Sequence, residues 1–112
     1  MKLPNAGRAI IDEQKLRRYL LSRSHPVGRF KASFFARAGF DAANWAAFAT
    51  QLRELARLGQ AELGDSSEYG QKYLVSGTLI GPQGSRLAVT SVWIVPVGRD
   101  VPRLVTVYPR EP

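Results

Sequence analysis

Apolar residues recur at helical spacing through the first half of the chain and predict three helices there. Asp12 is well placed as an N-cap, because its short polar side chain precedes an apolar stripe. A first helix is therefore expected over residues 12–22. Its buried face is predicted to contain Leu16, Tyr19 and Leu20.

Two further helices are predicted before residue 60. One runs from about Gly28 to residue 38 and is stopped by Gly39, since glycine commonly follows the last turn of a helix. The other begins after Asp41, as its N-cap, and is closed by Gly59. In the helix that begins at Gly28, Phe30 and Phe34 share one face, with Phe35 beside them. In the helix that follows Asp41, the apolar stripe is formed by Trp45, Phe48, Leu52 and Leu55.

After Gly59 the apolar period shortens to that of strands. A short strand at 61–63 is followed by a polar loop and then by longer apolar runs separated by turn residues. The run at 87–95 is apolar on both faces, which is typical of a central, covered strand. The predicted loops are 64–70, 81–84 and 97–102, and the predicted longer strands are 73–80, 87–95 and 103–108.

The element order indicates the fold class. Helices come first and strands with short connections follow, which favours an α+β fold with three N-terminal helices packed on a C-terminal antiparallel meander of three to four strands. The length of 112 residues suits a single domain over residues 1–112.

Composition narrows the possible chemistry. The chain has no cysteine and one histidine, so neither a thiol nucleophile nor a cysteine-based zinc site is available, and no metal or cofactor is expected. No apolar run reaches the length of a membrane span, and the N-terminus does not resemble a secretory signal. We therefore expect no membrane contact. The absence of cysteine favours a cytoplasmic location, although it is also compatible with export as part of a larger protein.

The net charge of +7 is concentrated in the first half of the chain. Residues 1–59 hold eleven Lys and Arg against four acids, whereas residues 60–112 hold five of each. Twelve of the 16 cations are arginine, whose planar guanidinium suits bidentate contact with phosphate. This distribution favours a surface for nucleic acid or for an acidic protein, although a solubilising shell would look similar.

His25 is the first candidate for catalysis, because histidine is the side chain that most readily exchanges protons near neutral pH. Arg29 and Lys31 follow it in the first turn of the helix predicted to begin at Gly28. Free N–H groups and the helix dipole favour an anion at such a position. The three side chains could form a phosphate site, although a loop histidine beside a solvated helix face is the simpler alternative.

Polar residues in the predicted sheet form a second candidate set. Lys72, Thr78, Thr90 and Thr106 could contact a ligand from one sheet face, Arg103 could bind phosphate, and Tyr108 could share proton transfer. These residue types can supply the roles that RNA cleavage requires without a metal. Threonine and tyrosine also favour strands for structural reasons alone. Trp45 and Trp93 are interpreted as core residues.

Six blocks of sequence extend over nearly the whole chain. They are Lys2-Leu3-Pro4-Asn5-Ala6, His25-Pro26-Val27-Gly28-Arg29-x-Lys31-Ala32-x-Phe34-Phe35, Tyr69-Gly70-Gln71-Lys72-Tyr73, Gly77-Thr78-Leu79-x-Gly81-Pro82-x-Gly84, Val92-Trp93-Ile94 and Pro102-Arg103-x-Val105-Thr106-x-Tyr108-Pro109. Together these blocks resemble a small bacterial domain family of unknown function whose members have about this length. Members of that family occur alone or at the ends of larger proteins that resemble polymorphic toxins.

The order of helices followed by a meander is also similar to the barnase–EndoU–colicin–RelE group of metal-independent ribonucleases. That resemblance implies a toxin that cleaves RNA by attack of the 2′-hydroxyl and is held by a small acidic antitoxin or immunity protein. Three hypotheses therefore remain open. They are this ribonuclease, a non-catalytic basic module that binds nucleic acid or an acidic protein, and a structural subunit of a larger assembly.

Overall fold

A short 3₁₀ turn and three helices precede a four-stranded antiparallel sheet, so the predicted α+β order is confirmed. The computed structural model describes residues 1–26 and 29–110. The helical elements are a 3₁₀ turn (Ala6–Arg8), α1 (Glu13–Lys15) continued by a π-helical turn (Leu16–Leu20), α2 (Arg29–Ala36) and α3 (Trp45–Leu58). The strands are β1 (Ala61–Ser67), β2 (Gly70–Ile80), β3 (Arg86–Pro96) and β4 (Arg103–Pro109).

The first helix has the predicted N-cap but an unexpected second half. The Asp12 carboxylate accepts a hydrogen bond from the backbone N–H of Gln14 at 2.8 Å. After α1 the helix widens, and Leu21 N–H bonds to the Leu16 carbonyl five residues earlier. The predicted regular helix to residue 22 is thus wrong in its later part. Leu16, Leu20 and Leu21 are all buried, so the wider turn serves the core.

α2 buries the apolar residues of its sequence unequally. Gly28, predicted as its first residue, lies outside the described residues. Phe30 and Phe34 are four residues apart on the helix and share a face as predicted, but Phe35 is the fully buried one, whereas Phe34 is partly buried and Phe30 is 70% exposed. Gly39 ends this region with a φ of 90°, a left-handed conformation that favours glycine.

α3 begins later than predicted, because Asp41 caps a turn and not the helix. The Asp41 and Asn44 side chains each accept the other residue's backbone N–H, at 3.0 and 2.8 Å. This closed turn leaves Trp45 as the first helical residue. The predicted closure at Gly59 is confirmed, since its N–H bonds to a carbonyl in the last turn. The buried face contains Phe48, Ala49, Leu52, Leu55 and Ala56.

The sheet is a simple meander in the order β1-β2-β3-β4. The predicted loop at 64–70 is wrong in its first part, because β1 extends to Ser67 and pairs with β2 through Ser67 and Gly70. A bulge between Leu63 and Ser66 interrupts the pairing. As an edge strand, β1 is held by backbone hydrogen bonds to β2 and needs no apolar stripe, so its polar sequence was misleading.

One sheet face packs against α3 and the opposite face, called here the outer face, does not. Val75 and Trp93 are fully buried on the packed face, which confirms Trp93 as a core residue. A Cβ on Gly77 would lie 2.4 Å from a Leu55 methyl group, which shows how closely α3 approaches the sheet. Trp45 is only partly buried.

β3 is covered on the packed face and less completely on the other. Ala88 is exposed on the outer face, and Val92 and Ile94 are half-buried there, so the prediction of a strand covered on both sides is wrong for this face. Within residues 1–26 and 29–110, no helix has the length and apolar content needed to cross a membrane.

Candidate functional site

The Lys31 ammonium joins the helices to the edge of the sheet. α2 lies beside β4, and Lys31 Nζ donates a hydrogen bond to Thr106 Oγ1 at 2.7 Å. The same Nζ lies 5.7 Å from the centre of the Tyr19 ring, within the range of a cation–π contact. A residue of α2, one of β4 and one of the π-helical turn therefore meet at a single point.

Tyr19 also brings the only histidine to this point. Its ring meets the His25 imidazole edge to face, with the centroids 4.9 Å apart. His25 and Lys31 thus contact the same aromatic ring, although they belong to different segments. We refer to Tyr19, His25, Lys31 and Thr106 as the β4-edge cluster. π-Helical turns often occur at functional sites, and Tyr19 comes from such a turn.

The ammonium in this cluster is electrostatically perturbed. Burial lowers the pKa of Lys31, because it removes water from the charged form, and the nearby Lys15 ammonium lowers the pKa further. A lysine with a lowered pKa can release or accept a proton nearer neutral pH than an ordinary lysine can. An anionic ligand beside it would restore the preference for the charged form.

Arg29 is not part of the cluster, although the sequence places it between His25 and Lys31. Its guanidinium lies over the exposed Phe30 ring, 4.7 Å from the centroid. Its backbone N–H donates to the His25 carbonyl at 3.1 Å, so this N–H is not free for an anion. Of the three residues of this predicted site, His25 and Lys31 both contact the Tyr19 ring, and Arg29 lies apart from them.

The register of the sheet places the predicted polar residues on the outer face. Lys72 and Thr78 lie on this face of β2, and Ser76 between them pairs with Thr90 of β3. Thr106 pairs with Val92 on the same face. Leu74, Val92 and Ile94 lie on the same face and are half-buried. The surroundings of the polar residues are therefore partly apolar.

Two of these polar residues differ from the rest in their surroundings. Thr90 is buried, and its hydroxyl shares a hydrogen bond of 2.8 Å with Ser76. The position of Thr90 therefore suits a structural role better than contact with a ligand. Tyr108 pairs with Thr90 and is partly exposed. It lies two residues beyond Thr106 on the same face of β4.

Arg103 lies at the start of β4 and pairs with Ile94 on the outer face. It lines a cavity of about 280 Å³ between the first helix and β4, together with Asp12 and Lys15. Lys15, whose charge lowers the pKa of Lys31, thus lines the same cavity as Arg103.

Tyr19 is the member of the cluster that sequence reasoning missed. The helical spacing placed it on a buried face with Leu16 and Leu20, and only its hydroxyl distinguished it from a core residue. Both leucines are fully buried, whereas Tyr19 is half-buried at the rim of the core. A tyrosine in an otherwise aliphatic stripe was the available signal, because its polar end usually reaches water or a partner.

The cluster supplies an imidazole, an ammonium, a phenol and a hydroxyl. Among the described residues, no group of three His, Asp or Glu side chains is arranged to hold a metal ion. The four groups present can donate and accept protons and can bind a phosphate, which are the functions that phosphodiester cleavage requires.

The comparisons with known proteins establish the family. Residues 2–111 match the model of the family described as domain of unknown function (DUF6883), and the chain therefore belongs to that family. None of the curated proteins is similar enough in sequence to match.

A solved structure shares the fold. It is one chain of a contact-dependent growth inhibition toxin–immunity protein complex from Klebsiella pneumoniae 342, with a TM-score of 0.68. The alignment covers 96% of this chain and 98% of that chain at 18% sequence identity. At this identity the similarity establishes the fold, which is that of a chain in a toxin–immunity complex.

Proposed function

We propose that this domain is a toxin of the metal-independent ribonuclease type, which cleaves RNA through attack of a ribose 2′-hydroxyl on the adjacent phosphate. The observation that carries the proposal is the β4-edge cluster, where His25 and Lys31 contact one Tyr19 ring and Lys31 is held by Thr106. The fold shared with a chain of a toxin–immunity complex supports the toxin assignment. Its site of action would be the cytoplasm, where its substrate occurs.

The matched complex contains a toxin and an immunity protein, and the charge of this chain favours the role of toxin. A net charge of +7 attracts a polyanion such as RNA and speeds its association. The same charge favours an acidic binding partner. We therefore propose a small acidic immunity protein that covers the basic surface of the domain.

The proposed reaction needs two proton transfers and one stabilised phosphate. A base removes the proton from the 2′-oxygen, which bonds to phosphorus, while the bond from phosphorus to the 5′-oxygen breaks and an acid protonates that oxygen. The products are a 2′,3′-cyclic phosphate and a free 5′-hydroxyl. His25 is assigned to one proton transfer and Tyr108 to the other, because both can carry protons without a cofactor.

Lys31 is assigned to the phosphate. Its ammonium is preorganised by the hydrogen bond to Thr106, so it need not be reoriented when charge develops on the phosphate oxygens. The lowered pKa makes an anionic partner more favourable for this group. Thr106 can in addition donate its hydroxyl proton to a phosphate oxygen, since it accepts from Lys31.

The proposal is tested by comparing Lys31→Met with Arg29→Met in an RNA cleavage assay. Both changes remove one positive charge from α2, but only Lys31 belongs to the cluster. We expect His25→Ala and Lys31→Met each to lower the cleavage rate by about 100-fold or more, within the range for general acid–base and electrostatic groups. Arg29→Met should change it only slightly.

The same variants decide between the ribonuclease and a binding module. The outer face combines half-buried Leu74, Val92 and Ile94 with Lys72, which would also suit RNA binding without cleavage. A binding module would leave RNA intact with every variant, and its affinity would be insensitive to His25→Ala. Equal loss of cleavage in Lys31→Met and Arg29→Met would contradict the assignment of the cluster.

A further inference from the structure

A second group of cations lies at the end of the sheet where the β3–β4 loop joins the last two strands. A cleft of about 460 Å³ opens there between the 3₁₀ turn, the loop and the start of β4. Arg8, Arg99 and Arg103 line it, one from each of these three segments. We call it the arginine cleft. Nothing in the reaction proposed above uses Arg8 or Arg99.

The cleft has a fixed frame. The Ile10 N–H donates to the Pro102 carbonyl and the Leu104 N–H donates to the Ile10 carbonyl, both at 2.9 Å. In addition, the Asn5 side chain donates to the Asp100 carbonyl at 2.6 Å. These long-range hydrogen bonds hold the N-terminal segment against the β3–β4 loop. The backbone around the arginines is therefore preorganised and does not depend on a ligand for its position.

The charge in the cleft is not balanced from within. Asp100 is the one acidic residue that lines it, against three arginines. Within residues 1–26 and 29–110, none of the three forms an ion pair, and all are exposed. Like charges gathered without a counter-ion repel each other, so an anion in the cleft would be favourable.

Arg103 links the arginine cleft with the cavity beside the first helix. It lines both the cleft and the cavity that contains Lys15, and Lys15 lowers the pKa of Lys31. Arg103 and Thr106 are three residues apart on β4, with a bulge between Leu104 and Thr106. Positive charge is therefore present at two points along β4, at Arg103 and at Lys31 beside Thr106.

We propose that the arginine cleft binds backbone phosphates of single-stranded RNA next to the phosphate that is cleaved at the β4-edge cluster. This inference rests on the proposed function. The ligand class follows from two observations. Three planar guanidinium groups line the cleft without an ion-pair partner among the described residues, and one of them, Arg103, lies on the same strand as Thr106 of the cluster. Guanidinium forks bind phosphate in a bidentate manner, and a polynucleotide presents phosphates at regular intervals along such a path.

The test is the salt dependence of RNA binding by the double variant Arg8→Gln/Arg99→Gln. The probe is a labelled single-stranded RNA oligonucleotide with 2′-O-methyl riboses, which binds but cannot be cleaved through its 2′-oxygen. Each lost phosphate contact lowers the slope of log affinity against log salt by about 0.7 for single strands. We therefore expect the slope to fall by about 1.4 relative to the wild type.

A matched control is Arg37→Gln/Arg86→Gln. Both arginines are exposed, and both lie toward the other end of the sheet, since Ala38 contacts Gly81 at the β2–β3 turn and Arg86 pairs with Ile80. The control removes the same net charge and should change the slope much less. Equal slopes for the two double variants would overturn the proposal.

Two further results separate the possible causes. If poly-glutamate binding falls in the cleft variant while RNA binding does not, the cleft binds an acidic protein segment and the RNA proposal is overturned. If the wild type fails to cleave RNA but the cleft variant still shows the reduced slope, the nuclease assignment fails and the cleft remains an RNA phosphate site. Thermal unfolding of each variant confirms that the fold is retained.

Discussion

The Lys31 side chain combines a structural contact with an energetic cost. Its hydrogen bond to Thr106 holds α2 against β4, but its partial burial and the neighbouring Lys15 charge disfavour the ammonium. Tyr19 and His25 are the aromatic groups beside it. A charge in such surroundings lowers the stability of the fold unless a ligand of opposite charge binds beside it. Charged groups with perturbed pKa values of this kind are typical of functional sites.

This cost predicts a pH dependence of stability. Because the pKa of Lys31 is lower in the folded protein than in the unfolded chain, the unfolded chain binds more protons at pH values between the two. The free energy of unfolding of the wild type should therefore rise, relative to Lys31→Met, as the pH increases through this window. Below the window the difference should be constant.

Urea unfolding of both proteins from neutral to alkaline pH measures this effect. Arg29→Met serves as the control, since arginine keeps its proton throughout this range and its removal should leave a constant difference. If the free energies of unfolding of Lys31→Met and the wild type differ by the same amount at every pH, burial does not perturb the ammonium. The sign of the change follows from burial alone and does not depend on the proposed function.

Individual residues were predicted unequally well. His25 and Lys31 were recognised from their chemistry and their nearness in sequence, and the structure brings both to Tyr19. Arg29 was predicted from the same chemistry and the same nearness to His25 in sequence, yet its guanidinium lies over Phe30. Positions two apart on a helix point in very different directions, so nearness in sequence could not establish which of the two cations joins the histidine.

Among the elements, the contact between the turn that follows α2 and the β2–β3 turn limits variation most severely. A Cβ added to Gly81 would lie 1.8 Å from the Ala38 carbonyl oxygen, a backbone atom that cannot move without shifting the turn after α2. The backbone position before Pro82 thus depends on glycine for space and not for a positive φ.

We expect Gly81→Ala to lower the free energy of unfolding by about 1–3 kcal/mol, the usual range for overpacking. Gly7→Ala is the matched control, because a Cβ on Gly7 would meet no atom within 4 Å. Chemical denaturation of both variants provides the measurement. If the two lose the same stability, α2 and the β2–β3 turn can separate at little cost.

Elements with regular apolar stripes were predicted best. The buried face of α3 has Phe48, Leu52 and Leu55 as expected, whereas β1 was expected to end at residue 63 and extends to Ser67. The spacing of apolar residues within a helix indicates which of its faces is buried. An edge strand can be held by the backbone of its neighbour, and that pairing leaves no local pattern.

The π-helical turn shows the same limit in another form. Leu16 and Leu20 have ordinary helical spacing, which does not distinguish an α-helix from the wider turn that the Leu21 N–H closes on the Leu16 carbonyl. This turn contains Tyr19, whose ring contacts both His25 and Lys31.

For the molecule as a whole, the proposed chemistry predicts the products of cleavage. RNA treated with the purified domain in the presence of EDTA should yield fragments that end in 2′,3′-cyclic phosphates, because the attacking group is the neighbouring 2′-oxygen and the proton carriers are side chains. End-group analysis of the fragments measures this. Substrates with a 2′-deoxyribose at the cleaved position should remain intact, and their cleavage would exclude this mechanism.

The basic charge predicts the behaviour of the molecule in cells and in a complex. The proposed acidic partner would share the polyanionic character of RNA, so binding to either should weaken with salt. Residues 2–111 belong to the DUF6883 family, and the fold is shared with a chain of a toxin–immunity complex over 96% of this chain.

The order of the elements, the core residues of α3 and β3 and the basic character of the chain follow from local periodicity and composition, because neighbouring residues impose them directly. The meeting of Tyr19, His25, Lys31 and Thr106, and the gathering of Arg8, Arg99 and Arg103, depend on segments far apart in the chain. Their proximity arises when α2 packs beside β4 and the N-terminal segment pairs with the β3–β4 loop. Long-range packing sets these distances, and no spacing along the chain encodes them.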